Sequence, residues 1–333
     1  MSDVADVAGI GLLIHTYPAD AVDSAVAACG RTEQRKRLLS ARLMVYFVLA
    51  MALFSPAPYL DVMRRLTSGL RWGGLWADER LPNKASIFQA RERLGSGPLH
   101  ALFSSAVRPL AAPDTPNAHW RGRRVLLLQE EQVELPESSG ETARLRVSGL
   151  VERGSGAVLD VALLDGESPR TLLRSVGPRS LLLVDRLPLD PELIATATAG
   201  GIALVWRLPA VRIPVQSERR SPDGSFLAGL GGRLLRVIAP DVVTTLLDPA
   251  VPAADLLDVL ARGAEQHGAL RDALLGGAQQ HGPLTSRTPD GVRQEVYGRL
   301  LVHYAIRQSM QYARSAMEPA AGQRARIRTT MPG

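Results

Sequence analysis

The 333-residue chain is 46% hydrophobic and 22% charged, a globular balance that excludes bulk disorder and suits one large domain or two ordinary ones. Its single cysteine, Cys29, excludes an internal disulfide framework and a cysteine-rich zinc site. The net charge of +6 is unevenly placed: residues 1–30 carry four Asp and no Lys or Arg, residues 31–124 hold sixteen basic against six acidic residues, and the remainder holds 23 of each sign. Only Lys36 and Lys84 among the 39 basic residues are lysine. Arginine is the better fork for phosphate, so the basic stretch reads as a nucleic-acid-binding module, with a merely solvated basic surface as the alternative. The longest apolar run, Leu43 to Phe54, is 12 residues, too short to span a bilayer. Without a basic n-region ahead of an apolar stretch, a soluble cytoplasmic protein is expected.

In chain order, residues 1–30 read as a loose acidic arm with one short helix near 19–28. Residues 33–54 predict a long buried helix with a basic first turn, ended by Ser55-Pro56-Ala57-Pro58. A second helix from Tyr59 to about Ser68 carries Leu60, Met63 and Leu66 inward, with Arg64 and Arg65 outward. Lys84 to Leu94 predicts a third helix with Phe88 and Leu94 inward, and Leu99 to about Leu110 a fourth. Four short helices, the third rich in basic and amide groups, suit a helix-turn-helix-like domain over 31–112; a plain bundle is the alternative. Its DNA contacts would be Lys84, Gln89, Arg91 and Arg93, with Arg64 and Arg65 beside them. Lys84 and Arg91 would share one face.

Past a short linker at Pro113–Pro116, strands are expected at 125–128, 145–151, 158–164 and 181–184, with helical stretches at 171–175 and 189–198. A buried run at 203–206, a β insertion over about 207–242 and a strand at 243–247 follow. Helices return at 253–275 and 294–317, closing a mixed α/β domain over 117–317. Residues 318–333, with three arginines, read as a disordered basic tail.

Three segments carry a resemblance. Pro289-Asp-Gly-Val-Arg-Gln-Glu-Val-Tyr-Gly298 followed by Leu300-Leu-Val-His-Tyr-Ala-Ile-Arg307 resembles the C-terminal helix of actinobacterial transposases of the insertion element 4 family. Pro82 to Gly95 and Arg37-Leu-Leu-Ser-Ala-Arg-Leu-Met-Val45 are similar to their N-terminal domain, and the matches keep their order from about residue 31 to 310. The resemblance implies an RNase H-like core with a β insertion. It also implies chemistry in which three carboxylates (two Asp and a Glu) hold two Mg²⁺ ions for attack on DNA phosphodiesters. Two cations that close together require dense negative charge, and Mg²⁺ takes oxygen ligands.

Position by position, the carboxylates thin out. Gln129, in Val125-Leu-Leu-Leu-Gln129-Glu-Glu-Gln132, stands where the family's first Asp belongs, and a neutral amide cannot bridge two metals. Strand alternation turns Glu130 to the opposite face, while Glu131 would lie on the correct side beyond the strand end. Asp185 matches the second Asp, although Leu187 and Pro188 replace the Gly-containing turn. The family's helical Tyr, Arg, Glu and Lys share one face at positions 0, 3, 7 and 14. Leu260, Gly263, His267 and Leu274 take those places, with Glu265 facing elsewhere.

Other chemistry is thin: no P-loop, no nucleophile elbow, and Gly229-Leu-Gly-Gly232 lacks the dinucleotide spacing. His267 and His281 form no metal-like pair, and His303 in an apolar helix reads as a core histidine. The expectation is a transposase-family protein that binds double-stranded DNA and has lost transposition. Asp185 would be the lone catalytic remnant and at most a weak metal ligand. No cofactor is expected unless Mg²⁺ serves retained activity. An active transposase and a scaffold that no longer binds DNA stay as alternatives, and a homodimer or an unidentified protein partner stays open.

Overall fold

The computed structural model describes residues 4–35, 37–73, 81–136, 143–163, 168–209, 220–230, 232–264, 268–276 and 283–317. The chain divides into two units, residues 1–106 with 297–333, and residues 107–296.

The first unit contains α1 (Val4–Thr16), α2 (Ala19–Ala28), α3 (Ala41–Leu53), α4 (Tyr59–Trp72), α5 (Lys84–Leu94) and α6 (Gly97–Ala106). The far half of the C-terminal helix (Pro289–Met317) joins them. At its centre is α3, buried nearly all round from Leu43 to Ala50, the pattern of a core helix. It begins at residue 41 rather than 33. Ser40 Oγ accepts from Leu43 N at 3.3 Å and Glu33 Oε2 accepts from Ala41 N at 3.0 Å, and these caps set its start.

The expected loose arm at 1–30 is instead two packed helices. Ile10, Leu13, Tyr17 and Val22 are buried, and the sparse charge that suggests a loose arm is the charge pattern of core-facing helices. Gly69 of α4 makes this possible, since a Cβ there would lie 2.9 Å from Ile10. On α4, Val62, Met63 and Leu66 point inward while Leu60 is exposed. The far half of the C-terminal helix belongs here rather than with the α/β domain: Tyr297 stacks on His100 with ring centres 5.0 Å apart, and Tyr17 donates to the Leu301 carbonyl at 2.7 Å.

The second unit runs β1 (His119–Trp120), β2 (Arg123–Glu134), β3 (Arg144–Glu152), β4 (Val158–Leu163), a 3-10 turn (Pro169–Ser175) and β5 (Ser180–Asp185). It continues with α7 (Pro191–Ala199), β6 (Ala203–Arg207), β7 (Phe226–Leu230), β8 (Arg233–Ala239), β9 (Val242–Thr244), α8 (Ala253–Ala264) and α9 (Ala269–Leu275). The described strands form one sheet in the order β4-β3-β2-β5-β6-β9-β8-β7, with β1 beside β2. Strands β2, β3 and β4 are an antiparallel meander, and β5 and β6 are parallel to β2. That is the expected RNase H-like arrangement, and the insertion hairpin β7–β8 extends the same sheet through β9.

On one face Leu126, Leu128, Leu182, Val184 and Trp206 pack under Leu193, Ile194 and Ala197 of α7. On the other, Leu127 and Leu183 meet Gly263 of α8. Strands covered on both sides read as continuous apolar runs, which is why β2, β5 and β6 are so plain in the sequence.

Residues 113–116 form a largely exposed turn inside this unit, and the chain just before them is held by a buried carboxylate. Glu152, fully buried, accepts from Leu110 N and Ala111 N, each at 2.8 Å, and from Ser155 Oγ at 2.6 Å, and pairs with Arg124. A second buried polar knot ties the insertion to the approach to α8. Arg236, 1% exposed, donates to the Asp248 and Val251 carbonyls at 2.8 Å and to Asp223, which also accepts from Ala253 N at 3.0 Å.

Truncating Glu152 to Ala should cost about 3–5 kcal/mol in urea unfolding, because Arg124 and two buried amides lose their acceptor together. Asp223 sits at about 2, below its ordinary 3.8, because Ser225 donates to it, with Ala253 N and Arg236 adding to the effect. A depressed carboxylate adds stability above 3.8 that is lost as pH falls toward about 2. Asp223→Asn should therefore flatten the acid limb of the stability curve across that window.

Candidate functional site

The parallel register pairs Leu128 with Val184, so Gln129, within β2, lies beside Asp185, which ends β5. Asp185 in turn pairs with Arg207 across β5 and β6. The Arg207 guanidinium lies 3.5 Å from Asp185 Oδ1, and the Asp185 side chain is only 9% exposed. Arg186, in the left-handed region at φ 57°, donates its amide to the Arg207 carbonyl at 2.8 Å. Trp206 Nε1 donates to the Leu187 carbonyl at 2.9 Å. Together these bonds fix the altered turn after Asp185 and keep Arg207 against the carboxylate.

Gln129 is 6% exposed, and its Oε1 accepts from Leu270 N, at the start of α9, at 3.1 Å. An oxygen already holding a helix amide has little left for a cation. Leu260 and Gly263 of α8 do face this point. With Leu127, Leu183 and Asp185 they line a crevice too tight for a water molecule. The single helix expected over 253–275 is two, α8 ending at Ala264 and α9 starting at Ala269. Leu274 therefore does not continue the face of Leu260 and Gly263. Glu265, His267 and His281 lie outside the described residues.

Glu131 corrects a second expectation. It lies within β2, which runs on to Glu134, and shares a face with Gln129. Burial pushes its carboxyl up, and the charge that opposes this is Arg271. Glu130 accepts from Ser148 Oγ at 3.0 Å, with Arg146 3.4 Å away. Among the described residues no group of three or more His, Cys, Asp or Glu is placed to hold a metal ion. Two divalent cations do not fit a donor set of one committed amide and carboxylates each answered by an arginine. Register across parallel strands could have flagged Arg207, but only once the pairing of β5 with β6 is known.

The basic residues of the first unit separate into two kinds. Arg91 is 4% exposed: it donates to the Tyr59 hydroxyl and lies 5.5 Å over that ring. The sequence expectation placed it outward with Lys84, but Ile87, Ala90, Arg91 and Leu94 form the inner face of α5. Phe88, expected inside, is 51% exposed. Arg64 pairs with Asp61 at 2.5 Å, Arg65 with Asp6 at 3.2 Å, and Arg93 donates to the Leu39 carbonyl at 3.0 Å. Lys84 and Gln89 are exposed beside Phe88. Lys84 occupies the first turn, behind the Asn83 cap, where a cation opposes the helix dipole; it contributes nothing to the helix that would explain it. His303 is half-buried and accepts from Arg307 Nε at 3.2 Å. No described helix is long and apolar enough to cross a membrane.

Residues 7–104 match the model for the insertion element 4 transposase N-terminal domain. Along 87% of its length the chain is 24% identical to the transposase InsG for insertion sequence element IS4 of Escherichia coli strain K12, covering 74% of it. The putative transposase InsZ of the same strain is 22% identical over 60% of this chain and 71% of its own. A solved piggyBac transposase synaptic complex with hairpin DNA aligns with 92% of this chain and 76% of that one, at 11% identity and a TM-score of 0.45. The chain thus carries a segment similar to the insertion element 4 transposase N-terminal domain and, along most of its length, is similar to transposases of that type.

Proposed function

We propose that the protein is a DNA-binding member of its family that no longer cuts or joins DNA. The observation that carries this reading is the pairing at the strand ends. Asp185, the one carboxylate that matches the family pattern, faces Arg207 at 3.5 Å, while its neighbour Gln129 is committed to Leu270 N. A guanidinium in that position repels the cations a two-metal reaction needs, and the amide cannot bridge them. Apolar Leu260 and Gly263 close the crevice where the family's helical face would supply further polar groups. The sheet around the site is packed without interruption, so the fold has been preserved while the chemistry has gone.

DNA would be met by the exposed face of α5, where Lys84, Phe88 and Gln89 project. Lysine supplies phosphate contact, the amide can reach a base edge, and an exposed ring offers a stacking or methyl-contact surface. The similarity to transposases supports the choice of partner, and so do the exposed basic residues of this unit. Arg91 does not take part: it is a core residue of this unit.

Purified full-length protein should neither nick nor join DNA with Mg²⁺ or Mn²⁺, and Asp185→Ala should leave that baseline unchanged. Metal-dependent cleavage abolished by Asp185→Ala would overturn the reading. Binding to duplex DNA, followed by anisotropy across salt concentrations, should lose about 0.9 of log–log slope on Lys84→Ala. Arg91→Ala should instead lower the melting temperature. An affinity indifferent to both salt and Lys84 would favour a scaffold that has left DNA.

A further inference from the structure

The first unit contains a concave space of about 440 Å³ that the reading above does not use. Its walls are the segment between α2 and α3, the start of α3 at Ala41, and the end of α5 at Ala90, Arg93 and Leu94. Arg31, Arg35, Arg37 and Arg93 all line it, against one carboxylate, Glu33.

The segment is anchored at both ends. Arg31 N donates to the Val26 carbonyl at 3.0 Å, and Arg93 Nη2 donates to the Leu39 carbonyl at 3.0 Å. Glu33 is spent within the fold: Oε2 accepts from Ala41 N at 3.0 Å, and Oε1 lies 3.9 Å from Arg93. Arg31, Arg35 and Arg37 are exposed and make no side-chain hydrogen bond or ion pair among the described residues. Three uncompensated guanidiniums from one short segment, converging with a fourth from a distant helix, repel one another and gain nothing from the fold. A solvated basic surface would spread them. Concave walls concentrate their field, and the guanidinium fork matches phosphate oxygens two at a time. The volume lies within the range of small-ligand sites, about 300–1,000 Å³.

We infer that this cleft is a phosphate-binding site that takes adjacent phosphoryl groups, supplied either by a nucleic-acid backbone or by a free polyphosphate. It is separate from the outward face of α5 and does not require the DNA reading to hold.

The test uses the full-length protein with two probes, sodium tripolyphosphate followed by calorimetry and a short labelled DNA duplex followed by anisotropy. Each is compared with the triple variant Arg31→Gln, Arg35→Gln, Arg37→Gln. These side chains make no bond to the fold, so the melting temperature should not fall; if it does, Arg35→Gln alone repeats the comparison. Tripolyphosphate should bind the unaltered chain and raise its melting temperature, and its affinity should fall at least about tenfold in the variant, a change of roughly 1.4 kcal/mol. If the cleft also holds DNA, the salt slope for the duplex should drop by about 2 as two phosphate contacts are lost. Loss of tripolyphosphate binding with unchanged DNA binding establishes a free-polyphosphate site. The same loss in a protein that binds no duplex at all keeps the cleft and removes the DNA reading. Absent or variant-insensitive tripolyphosphate binding, alongside DNA binding that still depends on Lys84, removes the cleft and keeps the DNA reading.

Discussion

Burial of β2 and β5 on both faces is the constraint from which the rest of the second unit follows. Leu126 and Leu128 serve the α7 side, Leu127 and Leu183 the α8 side, and neither face has room for chemistry along its length. Polar groups can act only where the parallel pairing of β2 with β5 ends, beyond Leu128 and Val184. In an open α/β sheet that is also where ligands collect. The same packing keeps α8 close, because Gly263 admits Leu183 where a Cβ would come within 2.9 Å. A side chain at Gly263 would have to displace the tip of Leu183. The glycine is therefore part of the sheet's packing as much as a departure from the family's helical face.

Among the described residues there, Asp185, Glu130 and Glu131 each have an answer within the chain. Asp185 faces Arg207, Glu131 feels Arg271, and Glu130 has Arg146 and Ser148. Unanswered negative charge is what draws divalent cations into a site. Supplying an internal guanidinium removes that attraction and also relieves the cost of leaving a carboxylate half-buried.

Arginine does several different jobs elsewhere in the molecule, which the charge tally of the sequence does not separate. Arg124 neutralises buried Glu152, Arg236 organises the approach to α8, and Arg91 packs on Tyr59. Each of these guanidiniums is spent on the fold. The basic excess over 31–124 therefore overstates what is available to a partner, since Arg121 and Arg124 within it pair with Asp255 and Glu152 in the second unit. Among the described residues from 31 to 106, what is left to meet an anion is narrower: Lys84 on α5 and the arginines around the cleft at 31–37.

The sequence by itself determined the elements whose pattern is locally strong. Lys84–Leu94 is bounded by the Asn83 cap and by Gly95 at φ 70°. The apolar runs of β2, β5 and β6 announce a doubly covered sheet. It misjudged residues 1–30 because small, weakly charged helices look like a loose arm until their partners, α4 and α6, are in place. Arg91 and Phe88 changed places because the inner face of α5 is set by Tyr59 and α3 rather than by hydrophobicity. Helical periodicity leaves a face's rotation uncertain by one residue, and a guanidinium over a ring can be buried as readily as an apolar side chain. Only tertiary structure could bring Arg207 to Asp185, or Arg93 to Arg31. Those partners lie 22 and 62 positions apart in the chain, and what joins them is strand register in the first case and helix packing in the second, neither of which leaves a local trace.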